Sequence, residues 1–315
     1  MAIYQFLIAT QSFSKMGVPG VSELKDAEGN LTGHLVGLFH RTVQFMENGV
    51  KPIWVFDGKP PDLKSKELEK RSLLKKAAEE QKETAIAEGD MERAKQMAGR
   101  SIRITPEMMA DAKKLVQLMG VPYIEAPGEA EAQCAELCKM GLAFGTATED
   151  MDALTFGSPF LIRGLNSKKE PITQIDLSLV LEGFGMNMDE FIDLCILCGC
   201  DYTHSIGGIG PIKAFKLIEE NRNIEAVLEK VVESNEDPKK KQKYIIPDTF
   251  LYEESRALFN EPDVNRDKAA IEANLRWVRP DPDALKAFLV EEKSFHESKV
   301  ASGLTKLQNS QGKVN

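Results

Sequence analysis

The fold of this chain is decided by residues 126–155, APGEAEAQCAELCKMGLAFGTATEDMDALT. A helix is predicted from Pro127 to Met140, because Gly141 follows at the position where glycine commonly ends a helix. Residues 142–148 then form an apolar run of small residues that has the length of a strand and is too short for another helix. This succession of helix and strand indicates an open α/β sheet.

Two pairs of carboxylates flank the predicted helix and strand. Asp150 and Asp152 follow the carboxyl end of the strand, which is where ligands bind in open α/β sheets. Glu129 and Glu131 stand at the start of the helix, and four like charges gathered this closely repel one another. A hard divalent cation such as Mg²⁺ would offset that repulsion. The alternative is that the two glutamates are solvated residues of a first helical turn, where acids suit the helix dipole.

A second predicted strand also ends at an acid. Residues 53–56, Ile-Trp-Val-Phe, are an unbroken apolar run that is typical of a strand buried on both faces of a parallel sheet. Asp57 follows directly. This coincidence strengthens the prediction of an acidic metal site.

Charged and hairpin-forming stretches complete the pattern. Residues 31–48 predict an amphipathic helix, and residues 60–103, rich in Lys, Glu, Ala and Gln, predict a helical segment that buries little core. The alternative for residues 60–103 is a plain solvated helix pair. Residues 205–214, SIGGIGPIKA, predict a hairpin whose backbone N–H groups lead into a helix with Lys213, an arrangement that can hold a DNA phosphate without reading sequence.

The composition is that of a globular protein with a net charge of −9, which argues against a generic nucleic-acid binder. Two local clusters of basic residues stand out, at residues 59–76 and 239–243. No apolar run reaches membrane-spanning length, and five cysteines cannot all pair with one another. These features predict a protein of a reducing compartment, the cytosol or nucleus, with no membrane partner.

Four motifs resemble those of the flap endonucleases and occur in the order of that family. They are VFDGKPP at residues 55–61, APGEAEA at 126–132, ATEDMD at 147–152 and GCDY at 199–202. The resemblance covers nearly all of the chain. It implies an α/β fold with a PIN-like parallel-sheet nuclease core, a helical arch insertion and a C-terminal α-helical region that contains a helix-hairpin-helix.

The resemblance also implies a division into domains. The nuclease core would comprise residues 1–59 and 104–200, and the arch or clamp residues 60–103. The helix-hairpin-helix DNA-binding region would be residues 201–300, followed by a flexible tail at 301–315.

The function implied by the resemblance is Mg²⁺-dependent cleavage of 5′ flaps, with 5′–3′ exonuclease activity, in Okazaki fragment maturation and long-patch base excision repair. The implied partners are DNA with 5′ flap or nick junctions and the sliding clamp (PCNA). The implied protein is a monomer of the nucleus, in nucleoplasm and nucleolus, with the mitochondrion as a second compartment.

Residue roles follow from the resemblance position by position. Lys64 and Arg71 match catalytic basic residues of the arch. Two Mg²⁺ ions per subunit and a monovalent cation at the hairpin are implied as cofactors. The metal-binding acids would be Asp57, Glu129, Glu131, Asp150, Asp152 and Asp201. The DNA-contacting positions would be Arg41, Glu129, Gly199, Asp201, Gly208, Gly210 and Lys213.

The chain departs from the family pattern in three places, and the two at its ends lead to the expectation of a chain truncated at both ends. A further strand, with another metal-binding Asp, would precede residues 3–9 in the family. Gln11 stands where the family usually has a basic residue. Residues 311–315 resemble the start of the clamp-binding motif but stop before its aromatic pair, so we expect clamp binding by this chain to be weak.

Two alternative functions are left open by the residues. One is a catalytically impaired fragment that binds flap DNA without cutting it. The other is a phosphatase with Asp150 as nucleophile, although Thr155 stands one position late for the corresponding signature.

Overall fold

Helix α2 (Gly33–Glu47) forms where apolar residues recur at helical spacing, and its buried face includes Leu35 and Phe39. Gly49, with a φ of +76°, follows the end of the helix. The helix agrees with the one predicted at residues 31–48. These elements belong to a computed structural model that describes residues 3–8, 24–165, 171–236 and 244–311.

Helices make up most of the secondary structure. No helix among the described residues is both long and apolar enough to span a bilayer. A 3₁₀ turn forms at Asp62–Lys64 and a π-helical segment at Ala287–Glu292. The other helices are α1 (3–8), α3 (Ser65–Ala87), α4 (Met91–Arg100), α5 (Pro106–Leu118), α6 (Ala130–Lys139), α7 (Asp152–Thr155), α8 (Leu177–Phe184), α9 (Met188–Cys198), α10 (Pro211–Asn221), α11 (Ile224–Glu236), α12 (Tyr252–Asn260), α13 (Lys268–Asn274), α14 (Pro282–Lys286) and α15 (Glu297–Gln311).

The strands form two small sheets. One sheet pairs β1 with β2, and the other has the order β3-β4-β5. Strands β3 and β4 are parallel, with Thr146 opposite Leu161, whereas β4 and β5 are antiparallel. The strands are β1 (Trp54–Phe56), β2 (Tyr123–Glu125), β3 (Thr146–Ala147), β4 (Phe160–Arg163) and β5 (Thr173–Asp176).

Two predicted strands differ from the observed ones. The strand predicted at residues 142–148 is reduced to β3, because the backbone N–H groups of Leu142 and Ala143 both donate to Leu137 O at the end of α6. Those groups therefore satisfy helix carbonyls and are not available to a sheet. Strand β1 is not buried on both faces as predicted, since only Phe56 is fully buried and Trp54 is half-buried.

The predicted charged segment at residues 60–103 is helical. Helix α3 buries only Ala78 and Ala85 along its 23 residues. Helix α4 begins at a cap in which the Asp90 side chain accepts a hydrogen bond from Arg93 N at 3.0 Å. The small buried surface agrees with the prediction that this segment contributes little core.

Contacts divide the chain into two compact units. The first comprises Met1–Val55, Lys70–Ile124 and Asp267–Asn315, and the second comprises Phe56–Glu69 and Glu125–Arg266. The boundaries differ from those of the predicted domains, whose functional assignment stays a prediction.

Within the first unit, helix α15 corrects the prediction of a flexible tail at residues 301–315. The helix extends to Gln311 and packs on α2, with Val300 and Leu307 buried. A Cβ at Gly303 would overlap the Phe39 ring, so the absence of a side chain there permits the close approach. The segment is polar in composition, so the apolar stripe formed by Val300 and Leu307 was not predicted. Residues 312–315 lie outside the described part of the chain.

Within the second unit, one apolar cluster joins helices α6, α7, α9, α10, α11 and α12. A buried ion pair lies among them: the Arg256 guanidinium donates to both carboxylate oxygens of Asp193 at 2.7 Å and also to Glu225. Asp193 is 3% exposed and additionally accepts from Ile224 N, so its charge is well satisfied. This core fixes the ends of the helices that carry the candidate site.

Candidate functional site

The six acids predicted as metal ligands all lie in the second unit. They come from four places in the chain: the end of β1, the start of α6, the turn after β3 and the residues after α9. These acids are Asp57, Glu129, Glu131, Asp150, Asp152 and Asp201.

The end of β1 is held against the start of α6 by backbone contacts. Gly58 N donates to Gly128 O at 2.8 Å, and Lys59 N donates to Pro127 O at 3.0 Å. A Cβ at Gly58 would overlap Ala126 O, which is why only glycine allows this approach. Asp57 Oδ1 accepts a hydrogen bond from Ala130 N at 3.0 Å and so satisfies a free donor of the first turn of α6.

Lys64 bridges two of the acids. Its Nζ pairs with Glu129 Oε1 and lies 3.1 Å from Asp201 Oδ2. Burial disfavours the charged ammonium, but the hydrogen bond and charge of Glu129 and the charge of Asp201 outweigh it and raise the pKa of Lys64. Lys64 was predicted from the resemblance to face a phosphate, and the structure pairs it with carboxylates.

Tyr202 holds the other oxygen of Glu129. Its hydroxyl donates to Glu129 Oε2, and its ring is 2% exposed and packs edge-on against Phe259 at 5.1 Å. Burial and then the charge of Glu129 raise the pKa of Tyr202, so the hydroxyl stays a donor. Tyr202 belongs to the GCDY motif, but no role was predicted for it; the available signal was an aromatic residue beside a predicted ligand.

Asp152 lies where negative charge accumulates. Its backbone N–H donates to Asp150 Oδ1 at 3.1 Å. Burial, followed by the charges of Asp150, Asp201 and Glu129, raises the pKa of Asp152 to about 7. Burial and the neighbouring carboxylates thus disfavour the charged form of Asp152, and the charge of Lys64 only partly opposes them.

Glu131 is a second acid with a raised pKa. Burial is the main cause, and the charges of Asp57 and Asp150 add to it. Thr148 Oγ1 lies 3.5 Å from Glu131 Oε1 as its donor. The prediction that Glu131 is merely a solvated first-turn residue does not fit this environment.

The donor set fits a hard cation. All six side chains present carboxylate oxygens, which Mg²⁺ prefers. The raised pKa of Asp152 reflects burial first and then repulsion from neighbouring carboxylates, which a cation would relieve. Across the described residues, no three Asp, Glu, His or Cys side chains converge closely enough to enclose a metal ion as they stand. Lys64 lies between Glu129 and Asp201 in this arrangement, so the position is filled by an ammonium.

The predicted hairpin forms in the second unit. Gly207 pairs with Ile245 as an antiparallel bridge, and Gly208 has a φ of +89° that favours glycine. Lys213 Nζ donates to Gly208 O at 2.9 Å, and Gly210 is the N-cap of α10. The hairpin therefore leads into α10 as predicted, and its contact with a DNA phosphate stays a prediction.

The remaining predicted residues lie elsewhere. Gly199 is the C-cap of α9 in the second unit, with a φ of +111°. Arg41 and Arg71 belong to the first unit, on α2 and α3. The Arg41 guanidinium lies 5.8 Å from the centre of the Phe45 ring, and the Arg71 side chain is exposed. Lys64 therefore belongs to the same unit as the six acids, whereas Arg41 and Arg71 belong to the other unit.

Two family models match this chain. The XPG N-terminal domain matches residues 1–78, and the XPG I-region matches residues 120–201. The second match contains five of the six predicted metal ligands.

Individual relatives match over nearly the whole chain. Flap endonuclease 1 of Tetrahymena thermophila is 53% identical over 309 residues, which are 98% of this chain and 79% of the relative. The structure of flap endonuclease-1 from Methanococcus jannaschii superposes with a TM-score of 0.71 at 31% identity, covering 100% of this chain and 91% of that one. The catalytic core of Rad2 in complex with DNA substrate gives a TM-score of 0.71 at 26% identity, covering 97% and 89%.

These matches confirm the predicted fold class, a PIN-like α/β nuclease, and they extend well beyond the four motifs. Sequence identity of this extent over 98% of the chain does not arise from a shared fold alone. The chain belongs to the flap endonuclease family of structure-specific, DNA-hydrolysing nucleases.

Proposed function

We propose that this chain cleaves 5′ flaps in DNA in a Mg²⁺-dependent reaction, with 5′–3′ exonuclease activity. The supporting observation is the carboxylate cluster around Asp152, whose pKa is raised to about 7 by burial and then by the charges of Asp150, Asp201 and Glu129. The biological substrates would be the flaps and nicks of Okazaki fragment maturation and long-patch base excision repair.

The six carboxylates would hold the metal ions, some directly and some through water, because Mg²⁺ gives up its water reluctantly. The chemistry that such bound Mg²⁺ would supply is activation of the attacking water and stabilisation of the leaving oxygen. Tyr202 keeps Glu129 oriented, since its buried hydroxyl donates to Oε2. Asp57 is oriented in the same way by Ala130 N.

Positive groups of the chain would act on the DNA phosphate. Lys64 and Arg71 would stabilise the charge that develops on the scissile phosphate in the transition state. Arg41, Gly199 and the hairpin at 207–210 would contact the DNA backbone, which positions the substrate without reading its sequence. A monovalent cation at the hairpin, and an arch formed by residues 60–103, belong to the same proposal.

The cellular setting is also a proposal. We propose a monomer that acts in the nucleus, with the mitochondrion as a second compartment. The sliding clamp (PCNA) belongs to the proposal as a further partner, because residues 311–315 resemble the start of the clamp-binding motif.

The test is cleavage of a 5′-labelled flap duplex by the full chain in Mg²⁺ and in EDTA. We expect a product cut at the junction in Mg²⁺ and no product in EDTA. Asp152→Asn should lower the cleavage rate at least about 100-fold. Loss of a group that only supports a metal ligand costs about 10-fold to 100-fold, and Asp152 would hold the metal itself. Asp248→Asn, an exposed acid outside the cluster, is the matched control and should keep the rate.

The other outcomes separate the alternatives. Flap binding without cleavage in Mg²⁺ would favour a DNA-binding fragment. Release of phosphate from p-nitrophenyl phosphate, with no action on DNA, would favour a phosphatase with Asp150 as nucleophile.

A further inference from the structure

Both carboxylate oxygens of Glu129 already have partners in this structure. Lys64 Nζ pairs with Oε1, and the Tyr202 hydroxyl donates to Oε2. The same Nζ lies 3.1 Å from Asp201 Oδ2. A cation that binds Glu129 and Asp201 would therefore have to share their oxygens with these two partners or displace one of them.

Lys64 is the partner that can move. Tyr202 is 2% exposed, and its ring packs against Phe259, so its hydroxyl cannot leave Glu129 without opening the core. Lys64 stands at the end of the one-turn 3₁₀ helix Asp62–Lys64, and its side chain is 18% exposed. Rotation about its four side-chain carbons moves the ammonium while the backbone stays in place.

We propose that Lys64 and the metal compete for Glu129 and Asp201, so that metal binding releases the Lys64 ammonium and makes it available to the DNA phosphate. The inference rests on the proposed function, since it requires these acids to be metal ligands. An ammonium and a divalent cation in contact with the same oxygens repel each other in a partly buried site, so metal binding favours departure of the ammonium. Lys64 thus compensates the acids until the metal arrives.

The consequence is a coupling between two steps of the reaction. By linkage, any change that weakens the Lys64 pairing strengthens metal binding, and metal binding weakens the pairing by the same factor. If Lys64 formed a salt bridge that the metal does not disturb, weakening that bridge would leave the metal affinity unchanged.

The first test follows Lys64 in the wild-type full chain without DNA. Lysines are acetylated with an N-hydroxysuccinimide ester across a Mg²⁺ titration, and the modified peptides are quantified by mass spectrometry. Acetylation of Lys64 should be slow in EDTA and should rise at least about fivefold with Mg²⁺, the low end of coupling between two sites. Lys59, whose side chain is 83% exposed, is the internal control and should react at one rate throughout. Unchanged Lys64 reactivity, while calorimetry on the same sample shows Mg²⁺ binding, would overturn the proposal.

The second test measures Mg²⁺ affinity by calorimetry in variants. Lys64→Met should bind Mg²⁺ between about 5-fold and 150-fold more tightly than wild type. Lys64→Arg, which keeps the charge, should stay near wild type, and so should Lys59→Met. Equal or weaker affinity in a folded Lys64→Met variant would contradict the competition; if that variant fails to fold, the acetylation test on wild type still decides.

Failure of this inference can be told apart from failure of the proposed function. Flap cleavage with Mg²⁺ together with constant Lys64 reactivity would reject only the competition. No Mg²⁺ binding and no cleavage would reject both.

Discussion

Replacing Asp152 by asparagine is expected to stabilise the fold at alkaline pH while it removes cleavage activity. The side chain keeps its size, and only the carboxylate charge is lost. Because Asp150, Asp201 and Glu129 all oppose that charge in wild type, its removal relieves repulsion.

The magnitude follows from the shift in the Asp152 pKa, from 3.8 to about 7. A shift of about 3 units corresponds to about 4 kcal/mol in the free energy of unfolding. Solvent screening of this partly exposed group reduces the expectation to about 2 kcal/mol. The folded pKa is raised, so the folded state binds the proton more tightly, and wild type loses stability as pH rises from about 4 to about 7.

The assay is urea denaturation at low salt in EDTA, at pH 4 and at pH 8. Asp152→Asn should exceed wild type by about 2 kcal/mol at pH 8, and the difference should largely vanish at pH 4, where wild-type Asp152 is protonated. Saturating Mg²⁺ should stabilise wild type more than the variant. Asp248→Asn should show no comparable pH-dependent gain.

A variant that is less stable than wild type at pH 8 would refute the argument, since it would mean that the Asp152 charge is already compensated. A gain that is equal at both pH values would also refute it, because the benefit would then not come from the charge.

Three further predictions concern other parts of the chain. Arg256→Met should lower the free energy of unfolding by about 3–5 kcal/mol in urea, because it leaves the buried Asp193 charge unpaired, and adding Asp193→Asn should restore part of it. Burial lowers the pKa of His34 to about 4, so the unfolded chain takes up the proton before the folded chain does, and wild type becomes less stable as the pH drops below about 6.5. In urea denaturation, the stability of His34→Gln relative to wild type should therefore increase by about 2 kcal/mol from pH 7.5 to pH 5. A difference that stays constant with pH would contradict this. Tyr202→Phe should lower kcat for flap cleavage about tenfold with little change in KM, as expected for a residue that positions Glu129. The control is Tyr252→Phe, which should leave kcat unchanged because the Tyr252 hydroxyl bonds to exposed Glu253.

Local pattern alone predicted helices α2 and α6, the helical character of residues 60–103 and the location of the acids. The acids after β1 and β3 were located because they follow apolar runs of strand length, and those at the start of α6 because they follow Pro127-Gly128. The identity of the metal ligands came from the motifs and stays a prediction.

Contacts between distant residues were not predictable in this way. Helix α15 looked polar because its apolar stripe has meaning only against Phe39 on α2. That stripe depends on which helix packs nearby, and a local pattern carries no information on the partner. Strand β3 is shorter than its apolar run for a local reason that hydrophobicity does not show: the N–H groups of Leu142 and Ala143 bond to Leu137 O at the end of α6.

The sequence by itself determined that carboxylates would end strands and begin a helix, since these positions depend on neighbours along the chain. Only the tertiary structure decided how the charges are compensated. Lys64 and Tyr202 stand 65 and 73 positions from Glu129, and they reach its two oxygens because the 3₁₀ turn and the end of α9 pack beside α6. The balance of burial and charge that raises the pKa of Asp152 likewise exists only when four separate segments meet, because electrostatic energy depends on distance in space and not on position in sequence.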